Sequence, residues 1–354
     1  MGINASDMDA TVGIITRTKD RPVLLKRALE SIVNQSYEDW YLVIVNDGGD
    51  PAVVDQLVDH YASQLRERIS VIHNPSSLGM EAASNKGIRS IRTRYLVIHD
   101  DDDSWAPEFL TISVAEIEQI SRELPNIAGV VTLANTVYER VEGSVVYIDR
   151  TVPYRTSEKR GLVSLDELLT ENQFAPIQFL FRYDAAQAID FFRADLPVLG
   201  DWDFNIRFMS RCDVYIIPQF LAFYHHRITD QSIYGNSIFA GKSRHEFYAT
   251  MLKNEWLRKD FTENRIGMGA HIALRQAIHH MEKAINALPA HSQRELAGQN
   301  YSLRLRRMGE LVSMWMTSGQ KLRTVSKFFR ILFSEGIGSA IRQIKLWYLI
   351  RNGR

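Results

Sequence analysis

Aliphatic and β-branched runs alternate with amphipathic stretches from the start of the chain to Leu124. Thr11–Thr16 reads as a buried strand. Pro22 sits where a helix can begin, and Leu24, Leu25, Ala28, Leu29, Ile32 and Val33 recur behind it at helical spacing. Trp40–Val45 is a second strand, closed by the turn Asn46-Asp47-Gly48-Gly49. The pattern then predicts a helix over Val53–Leu65, a strand over Ile69–His73, a helix over Glu81–Ile91 and a strand over Tyr95–His99. That last strand breaks off at four consecutive aspartates, Asp100–Asp103. Trp105-Ala106-Pro107 and an amphipathic helix over Glu108–Leu124 follow.

Strands and helices in this order make βαβ units, hence a largely parallel sheet with helices on both faces, an α/β fold. In such sheets ligands bind outside the C-terminal strand ends. The Asp47 turn and the aspartate run both lie at those ends. Beyond Ala128 the pattern predicts strands at Val130–Leu133, Thr136–Arg140 and Val145–Asp149, the last two joined at Glu142-Gly143. Helices are expected at Leu165–Thr170, Ala185–Phe192 and Trp202–Met209, with Asp201 as N-cap of the third. Strands at Val214–Ile217 and Leu221–His225 complete this part. Ser243–Ser318 reads as mostly helical, with a breaker at Pro289, and final helices are expected at Lys321–Phe333 and Ile337–Ile350.

Composition adds exclusions. The 354 residues are 45% hydrophobic and 24% charged, which is ordinary for a globular chain with room for two domains. A single cysteine, Cys212, rules out an internal disulfide framework and a cysteine-based zinc cluster. No apolar stretch approaches the ~20 residues that span a bilayer. Met1–Asp9 lacks the basic and then apolar pattern of a signal peptide, so a soluble, cytoplasmic protein is expected. The net charge of zero conceals a split: 22 Lys+Arg against 34 Asp+Glu up to Phe239, then 20 against 8 from Ala240 onward. An acidic front half repels phosphates, so no nucleic-acid partner is expected. It suits recruitment of a divalent cation instead.

Carboxylates packed as closely as Asp100–Asp103 repel, and each raises its neighbour's pKa. A divalent cation relieves that crowding; magnesium and manganese prefer oxygen ligands, and magnesium takes one or two carboxylates plus substrate phosphates. Several segments, in order, resemble the GT-A fold glycosyltransferases of family 2. They are Thr16-Arg17-Thr18-Lys19-Asp20-Arg21, Val45-Asn46-Asp47-Gly48-Gly49, Asn74 through Leu78-Gly79 with Ala82–Ile88, His99–Pro107 with its DxD run, and Leu199–Arg207. The resemblance covers the chain to about Ala240. It implies a GT-A catalytic domain over 1–239, with a nucleotide-binding half at 1–127 and an acceptor-binding half at 128–239, followed by a basic helical region over 240–354. Two departures stand out: Asn46 replaces the usual first Asp of its turn, and Gly200 replaces the Glu usual before the catalytic Asp.

The resemblance implies an inverting transfer of a sugar from a nucleotide-diphosphate-sugar donor to a hydroxyl of a glycan, polysaccharide or lipid-linked acceptor. It makes Asp102 a metal ligand, for manganese or magnesium, and assigns Asp100 to the nucleotide's ribose or, through water, to the metal, with Asp101, between Asp100 and Asp102, serving either the nucleotide or the metal. Asp103 is either part of that site or a cap of the next helix. Asp47 is placed against the nucleobase, or else serves its own turn. Arg17 and Thr18 are placed along the nucleotide, Arg21 either pairs with its phosphate or makes a surface ion pair, and Gly79 gives the chain a tight path beside it. Asn85 either contacts the sugar or satisfies backbone groups. Asp201 is the proposed general base, with Asp203 as competitor. His226 is a candidate second metal ligand at the start of a loop that closes over the diphosphate; His225 and His226 as structural histidines are the alternative.

Rival readings are a nucleotidyltransferase, against which the glycine-poor Thr16–Arg21 counts, and a non-catalytic nucleotide-sugar-binding scaffold. Lys321 to Arg354 holds 8 basic residues and only Glu335 as an acid, among many large apolar side chains. Such helices suit peripheral contact with the inner face of a membrane, packing on the catalytic unit, or a homo-oligomer contact.

Overall fold

A computed structural model describes residues 10–154, 160–227, 234–235, 242–263 and 267–286. They fall into two units, Met1–Tyr248 and Ala249–Arg354. The first unit follows the expected alternation: β1 (Val12–Thr18), α1 (Pro22–Val33), β2 (Trp40–Asp47), α2 (Pro51–His60), α3 (Ala62–Leu65), β3 (Ile69–Asn74), α4 (Met80–Arg89), β4 (Tyr95–Ile98), β5 (Ser104–Trp105) and α5 (Phe109–Glu123). The helix expected over Val53–Leu65 is two pieces, because the turn at Tyr61 interrupts it.

The second half of this unit departs more from the pattern. β6 is one strand, Ile127–Glu142, where two were expected, and it turns through Gly143 into β7 (Val145–Pro153). After β8 (Gly161–Leu162) and α6 (Leu165–Leu168) comes β9 (Phe179–Arg182), which the sequence pattern did not suggest. α7 (Tyr183–Gln187), α8 (Gly200–Met209) and β10 (Asp213–His226) follow. β10 is again one strand: Pro218-Gln219 interrupts the pattern, and the register on β6 shifts between Ile217 and Phe220 without ending the strand.

The ten strands form one sheet in the order β3-β2-β1-β4-β9-β6-β10-β5, with β7 on β6 and β8 on β10. β3, β2, β1 and β4 are mutually parallel, and β6 runs parallel to β10. β9 is antiparallel to both β4 and β6 and joins the two parallel groups. Alternation along the strands sends Val12, Ile14, Leu42 and Ile44 into one core cluster with Leu25, Leu29 and Ile32 of α1. On the other face α4 lies so close that a Cβ on Gly87 would sit 2.8 Å from Ile15. Burying both faces explains why these strands read as continuous apolar runs.

Asn85 of α4 is buried and fixes a distant segment. Its Nδ2 donates to the carbonyl of Phe192 at 2.7 Å, and its Oδ1 accepts the Phe192 N–H at 3.0 Å. This tether holds the approach to α8. α9 (Lys242–Thr262), which begins before the boundary at Tyr248, and α10 (Met268–Asn286), within the second unit, are helical as expected. The buried Asp260 accepts the N–H of Ala270 in the first turn of α10 at 2.7 Å. Among the described residues no helix is long and apolar enough to cross a membrane. The helices expected beyond Asn286, including the basic tail, lie outside the described residues.

Asn85→Ala strips both Phe192 backbone groups of their partners, and unsatisfied buried groups cost about 1–3 kcal/mol each. A loss of stability of that size is expected in urea unfolding, with an unchanged slope against denaturant.

Candidate active site

In the order β3-β2-β1-β4, the chain leaves β1 towards β2 while β4 lies on the other side, so a crevice opens where β1 and β4 end. Arg17 and Thr18 close β1, and Asp100–Asp103 follow β4. Their side chains bridge the crevice. Arg17 Nε and Nη2 donate to Asp100 Oδ1 and Oδ2 at 2.7 and 3.3 Å. Thr18 Oγ1 donates to Asp101 Oδ2 at 2.7 Å. Arg21 Nη2 and Nε donate to the two oxygens of Asp101 at 2.5 and 3.2 Å, and its Nη1 lies 3.5 Å from Asp102 Oδ2. Asp103 does not cap the following helix. Its Oδ1 accepts the His225 N–H of β10 at 2.9 Å, and α5 begins after Glu108 without a side-chain cap.

Burial and the charge of Asp102 push Asp103 well up, and burial also pushes up Asp101 against the pull of Arg21. Burial acts on Asp102 in the same sense, but Arg21, Arg227 and Arg27 outweigh it and hold that carboxyl below the usual range. Of these three, Asp102 is the carboxyl most favoured in its ionised form.

Behind Asp102 lies a buried knot of charge. Glu139 of β6 and Arg227, just past β10, have fully buried side chains. Arg227 Nη1 donates to Glu139 Oε1 at 2.6 Å, and its Nη2 donates to Asp102 Oδ2. Arg27 of α1 donates from Nη1 to Glu139 Oε2 at 2.6 Å and from Nη2 to the Asp102 carbonyl. His225 Nδ1 lies 2.6 Å from Glu139 Oε2, and its Nε2 lies 2.8 Å from Ser104 Oγ. Burial opposes ionisation of Glu139, but the His225 hydrogen bond and the Arg27 charge bring it down to about 2.

Asp47 ends β2, and the 74–79 turn fills its carboxylate. Oδ1 accepts from Asn74 Nδ2 and the Leu78 N–H, both at 2.8 Å; Oδ2 accepts from Ser77 Oγ at 2.7 Å and the Gly79 N–H at 3.0 Å. Burial opposes ionisation here too, and these donors keep the group below its ordinary value. Asp47 thus anchors the turn into α4, and any contact with a base would share these oxygens. Asn46 closes its own turn on Gly49. Gly48 adopts φ 84°, and a Cβ there would lie 2.5 Å from the Ser77 nitrogen, so no larger residue fits. A pocket of about 280 Å³ opens alongside, walled by Thr18, Arg21, Pro22, Leu25, Val54 and Tyr234 among others.

Asp201 is not the N-cap of α8, as its sequence position suggested. Leu199 holds that place with φ 64°, and Asp201 lies inside the first turn. Its Oδ1 accepts the Trp202 N–H at 2.8 Å, and its Oδ2 accepts from Asn172 Nδ2 at 2.7 Å. Asn172 is in turn held by Asn205 Nδ2 at 3.0 Å. Burial raises the Asp201 pKa; Arg17 pulls it down and Asp100 adds to the rise, which places Asp201 within electrostatic reach of the crevice. The Tyr224 phenol, raised chiefly by burial, also feels Asp103, Asp201 and Asp102. Asp203 faces elsewhere: its buried carboxylate takes Arg207 Nε at 2.6 Å.

The donor chemistry at Asp102 suits a hard divalent cation. Asp102 is held ionised, and burial together with Arg227 lowers His226 to about 4, leaving its imidazole neutral, the state that ligates. Among the described residues no three His, Cys, Asp or Glu side chains form a metal cage. One or two protein ligands, completed by phosphate oxygens and water, is the habit of magnesium.

Glu81, Glu139, Arg27 and Asn172 did not stand out in the sequence, and Arg227 stood out only as the first residue of the loop after His226. Each is a single polar residue within an ordinary helix, strand or loop pattern. Their partners lie far away along the chain, as with Arg227 and Asp102, 125 positions apart.

Residues 12–138 match the sequence profile of Glycosyl transferase family 2. An Escherichia coli (strain K12) protein, provisionally named a colanic acid biosynthesis glycosyl transferase, is 26% identical over 181 residues, 51% of this chain and 64% of that one. A PGL/p-HBAD biosynthesis glycosyltransferase of Mycobacterium bovis (strain BCG / Pasteur 1173P2) is 25% identical over 261 residues, 74% of this chain and 88% of that one. Among solved structures, S. aureus TarS 1–349 in complex with UDP-GlcNAc aligns with TM-score 0.51 and 16% identity, over 62% of this chain and 60% of that one. A Pyrobaculum calidifontis mannosyltransferase in complex with GDP-Man and Mn2+ aligns with TM-score 0.50 and 14% identity, over 86% and 84%. The chain thus spans just under two thirds of the E. coli relative and of TarS 1–349. The common fold is GT-A: a curled mixed sheet with helices.

Glu139 is the hub of the buried charges, so Glu139→Ala leaves Arg27 and Arg227 without their carboxylate and is expected to cost about 3–5 kcal/mol. The pH dependence has a fixed sign. A carboxyl lowered from 4.5 to about 2 contributes its full stability above pH 4.5 and loses it as pH falls towards 2. Glu139→Gln removes that titration, so its melting temperature is lower at pH 7 and falls less steeply below pH 4.5. Melting curves across that range check both.

Proposed function

We propose, starting from the glycosyl transferase family 2 domain that residues 12–138 form, that the chain is an inverting glycosyltransferase. It moves a sugar from a nucleotide-diphosphate-sugar donor to a hydroxyl of a glycan, polysaccharide or lipid-linked acceptor. The observation that carries this reading is a pair of carboxylates with opposed environments: Asp102 driven below and Asp201 above the ordinary range, both acting on Tyr224. Carboxylates whose pKa values are pushed apart divide binding and proton transfer between them. Relatives named for colanic acid and PGL/p-HBAD biosynthesis support a synthetic role.

The donor nucleotide lies in the crevice between β1 and β4, with Thr18 and Arg21 against it and the adjoining pocket taking part of it. Arg17, Asp100, Asp101 and Gly79 line the same path, and Asp47 and Asn85 hold its walls. Arg21 offers a planar fork suited to phosphate. A divalent metal, manganese or magnesium, would be held by Asp102 and His226 and would offset the charge that develops on the departing diphosphate. The P. calidifontis structure with GDP-Man and Mn2+ supports that choice. Asp201 accepts the proton of the acceptor hydroxyl as its oxygen attacks the anomeric carbon. The new C–O bond forms on the face opposite the leaving diphosphate, which departs with the electron pair, so configuration inverts. Asn172 and the Trp202 N–H keep the Asp201 carboxylate aimed.

A panel of UDP- and GDP-sugars with manganese, read by thermal shift, tests the reading. A ligand at a hundred times its Kd stabilises by about 2.7 kcal/mol; no response to any nucleotide sugar overturns the proposal. Asp102→Ala is expected to abolish the metal-dependent part of the shift and all transfer. Asp201→Asn is expected to keep the shift while turnover falls by about 10²–10⁴-fold. Retention of wild-type turnover in Asp201→Asn removes that residue from the base role.

A further inference from the structure

Gly200 opens α8 immediately before Asp201, and its backbone does not require glycine, since φ is not positive. Space requires it. A Cβ at this position would lie 2.3 Å from Cδ and Oε1 of Glu81 and 2.5 Å from its Cγ. The volume that a side chain on residue 200 would occupy is filled by Glu81, reaching across from the first turn of α4.

Glu81 is only 4% exposed. Its Oε2 meets Arg17 Nη1 at 3.5 Å, a long contact, while the same nitrogen donates to Ser84 Oγ at 2.9 Å and the Met80 carbonyl at 3.2 Å. A buried carboxylate with one long ion pair is an expensive way to fill space. A glutamine or an aliphatic residue would fill it at less cost. Burial, with Asp201 and Asp100 adding to it and Arg17 opposing, pushes Glu81 up to about 7. The groups that bear on it are therefore those of the donor side, Asp100 and Arg17, and that of the acceptor side, Asp201.

We propose that Glu81 is a positioning residue for sugar transfer: seated in the space left by Gly200, its carboxylate fixes Arg17 between Asp100 on the donor side and Asp201 on the base side. The proposal rests on the glycosyltransferase reading above. On this reading Glu81 acts through Arg17 and not on the reacting atoms. It sets where one guanidinium sits, and through it the alignment of the two halves of the reaction. Misplacement of reacting groups by about 1 Å costs on the order of a hundredfold in rate.

The test uses the full-length chain and the nucleotide sugar that gives the largest thermal shift. Glu81→Gln keeps the volume and removes the charge. Its melting temperature and donor Kd are expected to stay near those of the wild type, while kcat falls by about 10- to 100-fold. The double variant Glu81→Ala with Gly200→Glu returns a carboxylate to the same space from the facing position, and its kcat is expected to exceed that of Glu81→Ala alone. Wild-type kcat in Glu81→Gln, or a loss confined to donor binding, overturns the proposal, as does a double variant no faster than Glu81→Ala. Absence of transfer by the wild-type chain would instead sink the glycosyltransferase reading, so the two failures are separable.

Discussion

Like-charge crowding at the end of β4 is the constraint around which this site is organised. Four consecutive carboxyls cannot all ionise in a buried place unless counter-charges are brought to them. The chain supplies guanidiniums from separate segments: Arg17 from β1 for Asp100, Arg21 from the loop before α1 for Asp101, Arg227 after β10 for Asp102, and Arg27 from α1 against the Asp102 carbonyl. Asp103 receives a backbone N–H on Oδ1, while its buried Oδ2 has no partner among the described residues. Each counter-ion is also a tie between elements, so relieving the repulsion assembles the rim.

Glu139 shows how far this reaches. Three cations converging on Asp102 need a second anion, and β6 supplies it from behind. Single charges in this cluster have no role that can be removed in isolation, because each is the desolvation partner of another. The same logic applies at the other wall of the crevice, where Arg17 serves Asp100 and Glu81 together.

The half of the fold up to Leu124 was legible because strands buried on both faces leave an unmistakable apolar signature. β9 was not: the tetrapeptide Phe-Leu-Phe-Arg is too short to carry a period, and it exists as a strand because β4 and β6 offer two open edges. β6 and β10 read as fragments because Ala134-Asn135 and Pro218-Gln219 dilute the apolar pattern while hydrogen bonding to the neighbouring strand continues. At the site, runs and turns such as Asp100–Asp103 and Asn46–Gly49 announced themselves. Arg27, Glu81, Glu139 and Asn172 did not, since their meaning lies in partners that only the folded sheet brings near. Asp201 stands out by its surroundings, yet it does not cap α8, because it sits two places beyond the left-handed Leu199.

β9 also restricts how the sheet can move. A strand laced to β4 on one edge and β6 on the other makes the seam between the two parallel groups a continuous hydrogen-bonded surface. Swinging one parallel group against the other would break one of these two ladders. The ends of β1, β4 and β6 are thereby framed by one uninterrupted sheet rather than by two that meet at a hinge.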